Sequence, residues 1–323
     1  MKSLASRPKL IALVGPTGSG KSALAVELAV ALGGEIVNCD SMQLYRKLNI
    51  GTAKPTARQR GRVPHHLYDV IEPDEVYSAG RYMQEARQIC RQIAVRGSTP
   101  IVVGGTGLYL RALLEGVFEG PGRTEELRRR LHRIADRRGS AYLHKLLVKR
   151  DPQAASRIDP ADRIRMVRAL EVFFATGAPI SRLQPARQPF DELEIVKIGL
   201  NLPRSDLYAR INRRVDEMFQ SGLIEEVESL LRQGYSPDLK AFEALGYRAV
   251  VRFLKGETAM EEAVESTQRD TRRYAKRQMT WFRREEHMHW IPFAGEDPRA
   301  LAEVVRIVRQ RDTRDNSNSR DRK

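Results

Sequence analysis

The chain is poor in cysteine, in long apolar runs and in acid. Of its 323 residues only Cys39 and Cys90 are cysteines, and neither falls in a zinc-binding or redox spacing. That excludes a disulfide framework and a C-x-x-C centre, and leaves reduced thiols in a cytoplasmic protein as the simple reading. No apolar stretch approaches the ~20 residues that a membrane span requires. No apolar segment follows Met1-Lys2-Ser3-Leu4-Ala5-Ser6-Arg7, so no secretion signal is expected. Internal repeats are absent. Asp and Glu together number 41 against 56 Lys and Arg, a formal net charge of +15. A small-molecule enzyme has no need of that excess, which points to a polyanionic partner or else to a solubilising bias. The hydrophobic share, 41%, is ordinary for a globular protein, and the length allows one large domain with an elaboration.

Against these shortages stands one concentrated motif. Gly15-Pro16-Thr17-Gly18-Ser19-Gly20-Lys21-Ser22 matches G-x-x-x-x-G-K-[ST] at each fixed position. The apolar run Leu10–Val14 before it reads as a buried strand, and Ala23–Ala29 after it as a helix. Main-chain N–H groups and the helix N-terminus of such a loop attract phosphate. Lys21 can reach outer phosphate oxygens, and the Ser22 hydroxyl can ligate Mg²⁺. The loop implies a diphosphate or triphosphate without saying which molecule carries it.

Taken in order, the chain predicts an α/β fold, a P-loop-like parallel sheet flanked by helices with a helical insertion. A second strand, Glu35–Cys39, ends at Asp40, which the C-terminal edge of a parallel sheet would place beside the loop, across from Lys21. A turn-rich loop spans Asn49–Pro55, and a helix is expected from about Ser78 to Arg96 with Tyr82, Ala86, Ile89 and Ile93 inward. The strand Pro100–Val103 runs into Gly104-Gly105-Thr106-Gly107. A P-loop ATPase commonly has an acid at that strand end. Its lack here weakens a motor or ATPase reading, and the glycines suggest either close approach of a ligand or a tight turn. Residues 1–117 are read as the first part of the core, 118–192 as an arginine-rich helical insertion, and 193–310 as the return of the core. Residues 311–323 are read as a disordered polar tail. The return holds a strand at Glu194–Leu200, one or two helices over Asp206–Arg232 that carry Arg210 and Arg214 on one face, and a basic helix over Thr271–Arg284. In the last, Ala275, Met279 and Phe282 form an inward stripe, while basic residues interleave with Tyr274 and Trp281 as phosphate contacts and base stacking require; a solvated charged face is the bland alternative.

Together these segments resemble the tRNA dimethylallyltransferase family. The resemblance rests on the phosphate loop, Asn38–Tyr45, Ile50–Pro55, Gly104–Tyr109, Arg168–Val172, Gly246–Arg248 and Lys276–Arg283, in the family's order. The pair Asp-Ser-x-Gln-x-Tyr plus Gly-Thr-Ala-Lys-Pro is far more specific than the loop. No C-terminal zinc finger is present, as in the shorter bacterial form. The resemblance implies transfer of a dimethylallyl group from its diphosphate to N6 of the adenosine just 3′ of a tRNA anticodon, with Mg²⁺ as cofactor and a monomer as the default state.

The implied catalytic residues are Asp40 as general base with Lys21, Thr106, Arg210 and Arg214; Asp40 could instead cap a helix or hold a metal-bound water. The implied tRNA contacts are Asp40, Ser41, Met42, Gln43, Thr106 and Arg128, then Ile164, Arg165, Met166, Val167 and Arg168. Further along they are Glu243, Ala244, Leu245, Gly246, Tyr247 and Arg248, and finally Lys276, Arg277, Gln278, Met279, Thr280, Trp281, Phe282 and Arg283. A small-molecule kinase, an isopentenyltransferase acting on free adenine nucleotides and a non-enzymatic RNA-binding module are the competing readings.

Overall fold

The computed structural model describes residues 7–118, 120–122, 124–184 and 188–320, with side chains to residue 310. The expectation on Met1–Arg7 therefore falls almost wholly outside the described residues. The chain forms two compact units. Residues up to Leu114 and from Phe190 onward make a sheet unit, and Glu115–Pro189 makes a helical one, beginning and ending three residues before the expected 118 and 192.

The sheet unit opens with β1 (Lys9–Val14), α1 (Lys21–Leu32), β2 (Gly34–Asn38), α2 (Ala57–Arg60), β3 (His65–His66), α3 (Ala79–Val95), β4 (Thr99–Gly104) and α4 (Gly107–Glu115). The helical unit holds α5 (Glu125–Arg138), α6 (Ser140–Arg150), α7 (Pro152–Ala155), α8 (Arg163–Thr176) and α9 (Ile180–Leu183). The sheet unit resumes with β5 (Glu194–Leu200), α10 (Arg204–Gln220), α11 (Leu223–Arg232), α12 (Tyr247–Leu254), α13 (Met260–Phe282), β6 (Met288–Ile291) and α14 (Pro298–Arg320).

All six strands are parallel, in the order β3-β2-β4-β1-β5-β6. Strands buried on both faces need continuous apolar sequence, which β1 and β4 supply. Alternate side chains then enter opposite cores. Leu10, Ala12, Val14 and Val102 face the layer containing α3, α4 and α10–α13, and Ile11, Leu13, Ile101 and Ile198 face α1 and α14. β1 lies near the middle of the sheet, so the loop that follows it emerges at the centre of the C-terminal edge.

Several local expectations needed adjustment. The Ser78 hydroxyl caps α3 by accepting from Arg81 N, but Cys90 takes the fully buried position and Ile89 lies at its margin. Both cysteines are buried free thiols whose pKa burial pushes up to about 12. The block Asp206–Arg232 is two helices broken at Gly222, with Leu207, Ile211, Val215, Phe219 and Leu223 buried. The tail predicted to be irregular from residue 311 is instead helical through Arg320. Ala300, Val304, Ile307 and Val308 anchor the start of α14 on the sheet, and an anchored helix extends with one hydrogen bond per residue fixed.

In the helical unit, Leu131, Leu143, Leu147, Met166 and Leu170 form the core. Glu171 is fully buried within it. Its carboxylate accepts from Thr124 N at 2.8 Å, Arg128 Nη1 at 3.2 Å and Arg168 Nη1 at 2.8 Å. Unpaired, that buried charge would be prohibitive, so the two arginines are part of this unit's own structure.

Candidate active site

The C-terminal edge of the sheet holds a cavity of about 520 Å³. Thr17, Gly18, Gly20, Lys21 and Ser22 come to it from the turn between β1 and α1, Asp40 and Gln43 from the end of β2, and Arg210 and Arg214 from α10. Gly20 has a left-handed backbone (φ 88°) at the N-terminus of α1, a conformation that turns successive N–H groups toward one point. Lys21 Nζ donates to Pro16 O at 2.7 Å, folding back along the loop. Burial, reinforced by the Arg214 guanidinium and opposed by Asp40, brings the Lys21 ammonium down to about 7. Burial likewise lowers Arg214, with Asp40 opposing. Cations desolvated this way are poised for an anion.

Asp40 lies two residues past the end of β2, at the sheet edge where the strand-end argument puts it. Its Oδ1 accepts from Met42 N at 2.9 Å, and its own N–H donates to Asn38 Oδ1. Burial raises its pKa above the usual aspartate range, against the Met42 N–H, Lys21, the Gln43 N–H and Arg214. Asp40 also lines a second cavity of about 270 Å³ with Met42, Ile211, Val215, Met218, Leu245 and Tyr274. Thr17, Thr52 and Arg214 are common to both cavities. One carboxylate therefore stands between a cationic, phosphate-sized site and a more apolar one.

The matches with known proteins agree with this arrangement. The family model described as IPP transferase matches residues 43–285, and one described as isopentenyl transferase matches residues 8–63. A tRNA dimethylallyltransferase of Koribacter versatilis is 49% identical over 305 residues, covering 94% of this chain and 99% of the relative. That of Geobacter sulfurreducens is 50% identical, covering 89% and 93%. The chain belongs to the tRNA dimethylallyltransferase family. It is thus a prenyltransferase by family. Among solved structures, the tRNA isopentenylpyrophosphate transferase of Bacillus halodurans superposes with a TM-score of 0.70 at 39% identity, covering 94% of this chain and 96% of that one. A eukaryotic dimethylallyltransferase described as acting on tRNA gives 0.71 at 29% identity, covering 85% and 70%.

The family's motif residues fare unequally. Arg214 Nη1 lies 3.5 Å from Thr17 Oγ1, while Arg210 Nε donates to Gly18 O at 2.8 Å and its Nη2 pairs with Glu296. Thr106 braces strand ends: its N–H donates to Cys39 O, and its Oγ1 accepts from Ser41 N at 3.0 Å. Gln43 donates to Thr52 O and Ala53 O, tying the Asn49–Pro55 loop to the site. The glycine pair at the end of β4 leaves room for protein, and Gly104 also borders the cavity. A Cβ at Gly104 would meet Cys39 O, and one at Gly105 would meet Gln278.

Among the expected tRNA contacts, Ile164, Arg165, Glu243, Arg248, Lys276, Arg277, Thr280 and Arg283 are exposed, whereas Leu245, Gly246 and Trp281 are partly covered. Met166, Val167, Tyr247, Gln278, Met279 and Phe282 are buried, so their side chains turn away from the outer surface, while Ala244, also buried, borders the cavity beside Asp40. The helical period explains this, since each motif spans a full turn and only one face of it is outward. Tyr247 instead donates to Glu226, whose carboxylate also accepts from Asn49 N and Ile50 N and so pins the same loop. Arg128 and Arg168 are held by Glu171. Glu296 and Glu226 were missed from sequence because nothing local marks them, whereas Tyr274, read as a stacking residue on the basic helix, lies on the cavity beside Asp40. Gln278 had a signal: a polar residue within the stripe Ala275–Met279–Phe282.

Among the described residues, no cluster of three or more His, Cys, Asp or Glu could hold a metal ion. Ser22 and Asp40 nevertheless put two hard oxygen donors on one cavity. That set fits Mg²⁺, which is commonly held by one or two protein oxygens with substrate phosphates and water completing the shell.

Proposed function

We propose that the protein transfers a dimethylallyl group from dimethylallyl diphosphate to N6 of the adenosine 3′-adjacent to the anticodon, in tRNAs that read codons beginning with U. The observation that carries this reading is Asp40 lining both cavities, with the phosphate loop in one and Tyr274 and the aliphatic side chains in the other. The donor diphosphate occupies the first, held by loop N–H groups, Lys21 and Arg214. Arg210, now paired with Glu296, is the further cation within reach. The adenine, splayed from its loop, enters the second, where unstacking costs least for a single-stranded base.

As the N6–C bond forms, the carbon–oxygen bond to diphosphate breaks and its electron pair leaves on oxygen. The N6 proton passes to the Asp40 carboxylate, whose raised pKa makes it the stronger base. Lys21 and Arg214 face the oxygen where charge develops. Mg²⁺, held by Ser22 and reached by Asp40, would supply further charge neutralisation of the diphosphate. The net charge of +15 and the exposed Lys276, Arg277 and Arg283 on α13 support tRNA as the acceptor, as do the arginines of the helical unit. Among the described residues no helix is long and apolar enough to cross a membrane. A tRNA substrate places the reaction in the cytoplasm, and a single chain carries the whole site.

Labelled dimethylallyl diphosphate, offered in parallel with unmodified tRNA, AMP or ATP, tests the assignment. Label should appear on tRNA alone and at one adenosine. Label on AMP would make this a cytokinin-type enzyme, and phosphate transfer from ATP to a small acceptor would make it a kinase.

A further inference from the structure

We propose that Gln278 is a positioning residue for the diphosphate loop and not an RNA contact. It lies on α13 among the exposed basic residues Lys276, Arg277, Thr280 and Arg283, yet only 5% of its surface is accessible. Its side chain points to the sheet edge. Oε1 accepts from Thr17 N at 2.8 Å, and Nε2 donates to Gly105 O at 2.9 Å. One amide thus ties the phosphate loop after β1 to the turn after β4, its oxygen accepting and its NH2 donating at the same time. Gly105 is part of the device, because a Cβ there would stand 2.0 Å from Nε2. Tyr274, one helical turn earlier, lines the cavity beside Asp40.

The consequence is a division of labour within the loop. The Thr17 N–H is committed to Gln278 and is withdrawn from ligand binding. In return the loop is fixed before substrate arrives, so its other N–H groups and Lys21 meet diphosphate without reorganisation. Because α13 also carries the exposed basic residues, the helix that faces outward to a polyanion is the one that sets the loop. The inference rests on the reading of this site as one for a diphosphate donor.

The test uses full-length protein with Gln278→Met, Gly105→Ala and the double variant, titrated with inorganic diphosphate in Mg²⁺ and separately with tRNA. Gln278→Met removes both hydrogen bonds at similar volume, and Gly105→Ala displaces the amide without changing α13. Each should weaken diphosphate binding roughly tenfold to hundredfold, the worth of one or two well-placed hydrogen bonds, with tRNA affinity unchanged. The double variant should lose no more than the worse single one, because both act through one contact. Unchanged diphosphate affinity in either folded variant overturns the proposal, as does a loss confined to tRNA or a fully additive double. Should the methionine variant fail to fold, Gly105→Ala alone decides the matter. Transfer to tRNA by the unaltered protein is measured alongside, so a wrong acceptor is seen separately from a wrong role for Gln278.

Discussion

The sheet edge and the helical unit are both rich in charge and use it in opposite ways. At the edge, Lys21, Asp40 and Arg214 are desolvated beside cavities with no partner that cancels them fully, and burial moves the pKa of each toward its neutral form. In the helical unit the buried carboxylate of Glu171 is saturated by a main-chain N–H and two arginines, and that of Asp151 by the N–H groups of Ala154 and Ser181. Other arginines there, such as Arg129, Arg130 and Arg133, are exposed on α5. Incomplete neutralisation marks a place that waits for a ligand, whereas complete neutralisation marks structure. A net charge alone distinguishes neither.

The largest effect should come from the edge. Asp40→Asn should lower turnover by about 10²–10⁴, the usual worth of a general base, while diphosphate still binds. Its burial raises the folded-state pKa, so the carboxylate works only when pH exceeds a value above the ordinary aspartate range. Turnover should fall as pH drops through that value, and the acid limb should vanish in the Asn variant. The same shift acts on stability with the opposite sign. A raised folded pKa means that Asp40's contribution is lost as pH rises through it, so the Asn variant should melt higher at neutral pH. Retained turnover, or an unchanged acid limb, would remove Asp40 from the chemistry.

Next in size is a buried carboxylate of the other region. Glu171→Ala strands Arg128 and Arg168 and the Thr124 N–H, at about 3–5 kcal/mol. Hydrogen exchange should rise across α5 and α8, and tRNA affinity should collapse while diphosphate binding persists. Both tryptophans, Trp281 and Trp290, lie in the sheet unit, so their fluorescence should report an unaltered unfolding transition there. A shared loss by all probes would break the contrast and make the two regions one cooperative body.

What sequence could show follows the same line. The sheet, the loop and Asp40 were legible because they depend on local rules: apolar runs for buried strands, a fixed loop pattern, and the strand end as the site of chemistry. The faces of the helical motifs were less so. Met166, Val167, Met279 and Phe282 sit in segments shared with the family, yet they fill cores; the inward stripe on α13 announced two of them. Tyr247 on Glu226, Glu296 on Arg210 and Gln278 on Thr17 are contacts between residues far apart in the chain, and no spacing encodes them. Residues 311–320 read as polar and hence disordered, because the apolar anchor of α14 lies one turn upstream of them.

The smallest effect separates surface charge from both interiors. Arg129 is exposed on the arginine-rich helix α5, and its loss leaves Glu171 and the unit's apolar core untouched. Arg129→Ala should therefore leave the melting temperature and diphosphate binding as they are. If Arg129 meets an RNA phosphate, tRNA affinity should fall at low salt and the log–log salt slope should lessen by about 0.7–0.9, the counterion released per phosphate neutralised. Because the term is electrostatic, the difference between variant and parent should shrink as salt rises and be nearly gone at high ionic strength. A salt-independent loss would mean a desolvated, specific contact instead, and would place on α5 the kind of incompletely neutralised site found at the sheet edge.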